Sequence, residues 1–159
     1  MKRPAKPAAD LPRRADRILL GVMVLLAAAG LAVATYLTTV HYDGQALVCT
    51  TTGFINCDAV THSPESLVWG TQIPVTVPGM IWFLVSGALA GWALLGREPR
   101  WLAPAQLLWS IAALLFVFYL VFSEVAVIHQ LCEWCTAVHV LILATLLLSV
   151  RRLQTREDG

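Results

Sequence analysis

Apolar residues in this chain do not alternate with polar ones; they come in long unbroken runs. Three runs, Ile18–Val40, Ile73–Leu95 and Trp101–Ser123, hold no Asp, Glu, Lys or Arg, and each is 23 residues long. A helix of that length is about 35 Å, enough to cross a hydrocarbon core of about 30 Å with some tilt. A fourth run, Trp134–Val150, has 17 residues. It reaches spanning length if Leu131–Glu133 continues the helix into the interface. The pattern predicts an all-α integral membrane protein, a four-transmembrane-helix bundle with spans about 18–40, 73–95, 101–123 and 132–150. The long connection, residues 41–72, is polar and carries a helix-start signal at Ser63-Pro64-Glu65-Ser66, with Ser63 as N-cap and Pro64 at the first position. A short amphipathic helix through Leu67, Val68 and Trp69, ended by Gly70, is expected to lie over the membrane surface as a lid.

Composition agrees with a membrane protein. Hydrophobic residues make up 58% of the 159 and charged residues 13%, against about 25% charged in an ordinary soluble domain. Mean hydropathy is +0.71. A disordered chain is excluded, and a formal net charge of +1 offers nothing to nucleic acid. The first apolar run is too long for a signal peptide and has no small-residue cleavage site close behind it.

Charge placement then gives a direction. All 11 Lys and Arg residues fall in three places: before the first run (Lys2, Arg3, Lys6, Arg13, Arg14, Arg17), between the second and third (Arg97, Arg100), and after the fourth (Arg151, Arg152, Arg156). By the positive-inside rule both termini and the Gly96–Arg100 turn are cytoplasmic, and the 41–72 loop is outside. Residues 1–17 then form a basic tail, with its Lys/Pro/Ala segment disordered, and 151–159 a second cytoplasmic tail. Trp69, Trp101 and Trp134 fall near the expected interfaces.

All four cysteines lie on the outer side or at its boundary, where disulfides persist. Four cysteines allow three pairings; the resting one expected here is Cys49–Cys57 with Cys132–Cys135. A structural bridge is the plain reading of the loop pair. It fits Cys132-Glu133-Trp134-Cys135 less well. A Cys-x-x-Cys bridge closes too small a loop to remove much unfolded-state entropy, and its usual use is redox chemistry. Cys132 at a helix start would meet free N–H groups that favour a thiolate. His139 lies four residues after Cys135 and seven after Cys132, so the three share one helix face. An ionisable residue one turn below the surface is a functional candidate, although a neighbouring helix could equally satisfy it. Zinc ligation by Cys132, Cys135 and His139 is disfavoured because the thiols face an oxidising space, so no metal is expected. The polar segment Cys49–Cys57, with its single Gly53, suits a shuttle thiol that must move.

In the order of these features the chain resembles the vitamin K epoxide reductase family, in particular its bacterial quinone-linked members. The resemblance covers about residues 15–150. It rests on four spans, a loop cysteine pair before the second span, Asn56-Cys57-Asp58, Ser63 six residues beyond, and Cys132-x-x-Cys135 followed by Thr136-Ala137-Val138-His139. The DsbB family also has four spans and four outer cysteines, but with the Cys-x-x-Cys in the first outer loop. The resemblance implies a helix bundle holding a quinone near the outer surface. It implies that Cys135 faces the quinone ring, that Cys132 is attacked by Cys57, and that Cys49 meets an external protein. Ser63 matches a family serine near the pocket, and His139 stands where vertebrate members have a tyrosine. The asparagine that vertebrate members place near the start of the second span is absent from Ile73-Pro74-Val75-Thr76, which favours a respiratory quinone of the menaquinone or ubiquinone type over an epoxide. Many bacterial relatives carry a fused thioredoxin-like domain; here such a partner is expected in trans.

The resulting expectation is a thiol oxidoreductase of the bacterial plasma (inner) membrane. Electrons pass from a reduced DsbA-like thioredoxin-fold oxidase through Cys49/Cys57 and Cys132/Cys135 to a membrane quinone, sustaining disulfide formation in exported proteins. The candidate quinone-binding residues are Ser63, His139 and Cys135. Two other classes compete: a quinone or quinone-epoxide reductase working outward, and a non-enzymatic membrane scaffold with two structural disulfides.

Overall fold

A lipid-embedded backbone has no water to bond, so the long apolar runs must satisfy their own N–H and C=O groups as helices. In the computed structural model they do. It describes residues 10–157 except Gln45, Thr51 and Arg97, without the side chains of 10–13 and 157. The expected disordered segment at the N-terminus and the basic residues Lys2, Arg3, Lys6 and Arg97 lie outside the described residues.

The helices are α1 (Asp10–Asp43), α2 (Cys57–Thr61), α3 (Thr76–Leu94), α4 (Leu102–Phe122) and α5 (Glu133–Glu157). Four helical stretches are long and apolar enough to cross a membrane: Arg14–Asp43, Thr76–Leu94, Leu102–Ile128 and Glu133–Arg156. Each is apolar all round, and large residues such as Leu25, Leu84, Leu115 and Phe118 are exposed on the bundle surface. In a bilayer that surface faces lipid.

α1 lies centrally, packed against α3 and α5, and α4 packs on α5. The α1–α3 approach is close because Gly30 has no side chain. A Cβ there would fall 2.2 Å from the ring of the buried Phe83. The interior is built in three tiers. Leu20, Met23, Ala90, Ala93 and Leu102 form one end, and Trp82, Phe83, Ala113, Val117 and Ile142 the middle. Leu37, Val40, Leu47, Cys57, Val60 and Cys132 form the other end.

The end that holds both termini is tied by Arg152. Only 1% exposed, it donates from Nε to Asp16 Oδ1 at 2.9 Å and also bonds Glu98 and Gln106. Arg156 adds a 2.8 Å bond to Glu98. α1, α4, α5 and the α3–α4 connection thus meet on one guanidinium.

Three details depart from the sequence pattern. α5 continues well past Val150, because Arg152 and Arg156 are spent on this network. α4 does not end at Ser123; it runs on as a π-helical segment, Ser123–Ile128, closed by His129 in the left-handed region at φ 56. The outer-loop helix sits elsewhere than expected. Asn56 accepts from the Ala59 N–H at 3.0 Å and starts α2 at Cys57. After Ser63 only one 3-10 turn forms, Pro64–Ser66, and the Ser63 hydroxyl caps nothing; it donates back to Val60 O at 2.9 Å. Leu67, Val68 and Trp69 are not helical because their backbone turns back toward α3. Leu67 bridges to Pro74, Val68 N–H donates to Ile73 O at 2.8 Å and Val75 N–H to Ser66 O at 2.8 Å. The same pairing delays α3 to Thr76.

Arg152→Ala is expected to cost about 3–5 kcal/mol, because it leaves the part-buried Asp16 carboxylate unpaired, removes the partner of Gln106 and leaves Glu98 to Arg156 alone. Arg156→Ala, at a part-exposed position, should cost under about 1 kcal/mol. Thermal unfolding of the detergent-solubilised protein compares the two.

Candidate functional site

The site begins with a backbone stitch. Thr52 and Ile55 bridge across a turn at Gly53, where φ is +30. Ile55 then pairs in parallel with Leu131. Leu131 N–H donates to Phe54 O at 2.7 Å, and Asn56 N–H donates to Leu131 O at 3.0 Å. The loop residue after this stitch is Cys57, the first of α2; the residue after Leu131 is Cys132, immediately before α5. Both are sealed, at 1% and 0% exposure. They share one cluster with Leu37, Val40, Leu47 and Val60, and Cys49, Trp134 and Cys135 pack against it.

Cys49 and Cys57 are joined by a disulfide with Cα atoms 6.1 Å apart. Cys132 and Cys135 are thiols, unlike the expected resting form in which both pairs are bridged. The Cys135 backbone N–H donates to Cys132 Sγ at 3.2 Å. The sulfur therefore takes one of the free donors of the first helical turn. The Cys132 thiol is held below the ordinary cysteine range, first by the hydrogen bond from the Cys135 thiol; burial opposes this and the Cys135 N–H reinforces it.

The two residues between these cysteines hold the opposite strand of the site. Trp134 Nε1 donates to Val48 O at 2.8 Å, and the Thr50 N–H donates to Glu133 Oε2 at 3.4 Å. Cys49, between Val48 and Thr50, is thus gripped on both sides by the interior of Cys-x-x-Cys. The Trp134 ring also meets Tyr36 of α1 edge-on, with centroids 5.2 Å apart.

Below the cysteines lies a cavity, part of it open to the outside. Its walls are mostly apolar, from Leu37, Val60, Pro74, Val75, Leu120 and Ile128. Polar side chains stand among them: His41, Thr61, Ser63, Glu65, Ser66, Thr76, Ser123, Glu124 and His139. The lining suits a flat apolar ring with polar oxygens at its edges, the shape of a quinone head group. Cys135 lines this cavity; Cys132 is turned into the Cys57 cluster. One helical turn therefore joins the loop cysteines to the cavity.

Residues 21–150, most of the chain, match the family described as Vitamin K epoxide reductase. The chain belongs to the vitamin K epoxide reductase family. A search of curated proteins finds no match. Membership makes this a multi-pass membrane protein of an oxidoreductase family, and one cysteine pair is seen bridged. In this vitamin K epoxide reductase member Ser63, Cys135 and His139, separated by 76 positions along the chain from first to last, line the one cavity. Among the described residues no three of His, Cys, Asp and Glu converge as metal ligands. Sequence reasoning missed Glu124, which the apolar-run criterion left just outside the third span. It also missed the grip of Glu133 and Trp134 on Cys49, whose partners lie 83 and 86 positions away.

Trp134→Phe keeps the ring and deletes the bond to Val48 O, worth about 1 kcal/mol. Local opening of the Cys49 segment should rise accordingly, so that dithiothreitol reduces Cys49–Cys57 about 5-fold faster than in the wild type. Thiol quenching followed by mass spectrometry reads the rate.

Proposed function

We propose that this protein takes electrons from a reduced DsbA-like thioredoxin-fold protein on the outer face of a bacterial plasma membrane. It delivers them to a membrane quinone of the menaquinone or ubiquinone type and so sustains disulfide formation in exported proteins. The observation that carries the reading is the division of one Cys-x-x-Cys between two environments, Cys132 against Cys57 and Cys135 in the cavity.

The partner's thiolate attacks the Cys49–Cys57 bridge. Cys49 is the accessible sulfur, half-buried between two exposed apolar residues, Val48 at 80% and Phe54 at 77%, which offer a contact for a partner. Resolution of the mixed disulfide leaves both loop cysteines as thiols. Cys57 then attacks Cys132 of the oxidised pair and releases Cys135 as a thiolate into the cavity. Cys49 attacks Cys57, restoring the loop bridge and leaving Cys132 and Cys135 reduced. The described form, with Cys49–Cys57 bridged and Cys132 and Cys135 as thiols, corresponds to that stage. A bound quinone supplies the acceptor for two electrons and two protons. Ser63 and His139 would hold its oxygens, Ser63 by turning its hydroxyl proton from Val60 O, and the apolar wall would keep water from the transfer. Each exchange runs through a mixed disulfide, and the acceptor draws the sequence toward oxidation.

The bundle end bearing the termini carries Arg14, Arg17, Arg151, Arg152 and Arg156, and the other end carries the disulfide. This supports cytoplasmic termini and an outer redox site. After reduction, membrane-impermeant thiol reagent on intact cells should label Cys49; labelling of a cysteine introduced at Arg100 instead would invert the topology.

Cys49→Ser should accumulate a Cys57–Cys132 bond in non-reduced peptide maps, because the resolving thiol is gone. A mutant series in which that bond never forms sinks the relay order. His139→Ala loses a hydrogen bond worth ~1 to ~3 kcal/mol, so the quinone half-reaction should slow by about 5- to 100-fold. Reduction of Cys49–Cys57 by the partner should stay near normal. Stopped-flow kinetics with the half-reactions separated tests both; a slowed partner step with normal quinone reduction removes His139 from the quinone site.

A further inference from the structure

Glu124 is an acidic residue at membrane depth that the relay does not yet use. It sits on the π-helical segment Ser123–Ile128 and is 4% exposed. Such segments recur at functional sites because they redirect side chains within a continuing helix. Here the segment turns Glu124 into the cavity wall that also includes Cys135, His139 and Ser63. Its carboxyl and the Cys135 thiol border the same cavity. Of the other titratable groups lining the cavity, His41 Nδ1 donates to Thr61 O, Glu65 is part-exposed and His139 is one turn further along α5. Among the described residues Glu124 enters no ion pair; Arg152 and Arg156 are held by Asp16 and Glu98 at the opposite end of the bundle. A buried carboxyl that lines one cavity with a reacting thiol and enters no ion pair is placed to exchange a proton rather than to form a salt bridge.

We propose that Glu124 is a proton-transferring residue of the redox centre: it holds one of the two protons that accompany the electrons of the Cys132–Cys135 dithiol and releases it to a quinone oxygen. The acceptor rests on the quinone reading above; the proton site does not. In the reduced centre Cys132 is the thiolate, one proton is on Cys135 Sγ and one on the Glu124 carboxyl. Oxidation breaks the Cys135 S–H bond, forms the Cys132–Cys135 S–S bond and releases two electrons. These pass to the quinone with the Cys135 proton and the Glu124 proton, giving quinol and a Glu124 carboxylate. When Cys49 and Cys57 next reduce the Cys132–Cys135 bridge, their two protons restore Cys135 and Glu124. The Cys135 N–H on Cys132 Sγ fits this allocation, since a donor there favours the thiolate on Cys132.

The test uses the full-length protein in detergent, with Glu124→Gln and Glu124→Asp. An infrared difference spectrum between the Cys132/Cys135 dithiol and disulfide forms, recorded without quinone, should gain the carbonyl stretch of a protonated carboxylic acid on reduction. The band should shift in heavy water, vanish in Glu124→Gln and persist, displaced, in Glu124→Asp. No band in the wild type, or a band unchanged in Glu124→Gln, overturns the proposal. In single turnovers with a soluble short-chain quinone, Glu124→Gln should slow quinol formation by about 100-fold, with Glu124→Asp recovering most of the rate and the partner step changing little. Equal slowing of both half-reactions in both variants assigns Glu124 to holding the start of α5 and also overturns it. A wild-type protein that shows the band yet reduces no quinone supports the proton site and sinks the quinone reading instead.

Discussion

Two backbone hydrogen bonds, from Leu131 to Phe54 and from Asn56 to Leu131, are the constraint on which the outer end of the molecule depends. The loop before α3 and the start of α5 are far apart in sequence and have little reason to meet through apolar burial alone. Once stitched, they bring Cys57 and Cys132 into one sealed cluster and set the register for everything around it. Asn56, immediately after the stitch, caps α2; Trp134, two residues beyond Cys132, reaches back to Val48. Breaking the stitch would free the cysteines from each other without touching a sulfur.

The bundle is fastened differently at its two ends. Around Arg152 the contacts are ionic, buried and multiply connected, and they join four segments in one place. Around the cysteines the contacts are a few backbone bonds, one disulfide and side chains reaching across a loop. The first arrangement is costly to open because it leaves charges unpaired. The second opens in small steps worth about 1 kcal/mol each, as the proposed meeting of Cys49 with a partner requires. The scaffold is therefore stiffest where no thiol chemistry is placed.

Much of this was legible in the sequence, and for identifiable reasons. Lipid leaves the backbone few options, so unbroken apolar runs declare their helices, and a basic residue at every second boundary declares an order. Cys132, Cys135 and His139 could be placed on one face by counting alone, and the resemblance to vitamin K epoxide reductases added Ser63; the cavity contains Ser63, Cys135 and His139. What stayed hidden depends on contacts between distant positions. The Pro64–Ser66 turn was mistaken for the start of a longer helix because nothing local announces the pairing of Leu67 with Pro74. Glu124 was missed because a charge was taken to end a span, whereas the helix continues through it in π form. Glu133 and Trp134 looked like spacers; their work is done on a strand more than eighty residues earlier.

The burial of Cys57 and Cys132 has a consequence for selectivity. The outer face of a membrane meets half-folded exported proteins with free cysteines, any of which can drain a disulfide relay. A sulfur with no exposed surface cannot be reached by a molecule that diffuses up to it, however reactive that sulfur is. Within the proposed relay, a foreign protein can enter at Cys49 alone, on a segment framed by Val48 and Phe54, while Cys135 meets only what fits the cavity it lines. The inner sulfurs are insulated in the electrical sense: conduction occurs along one line, and the shape of its single terminal decides who is connected.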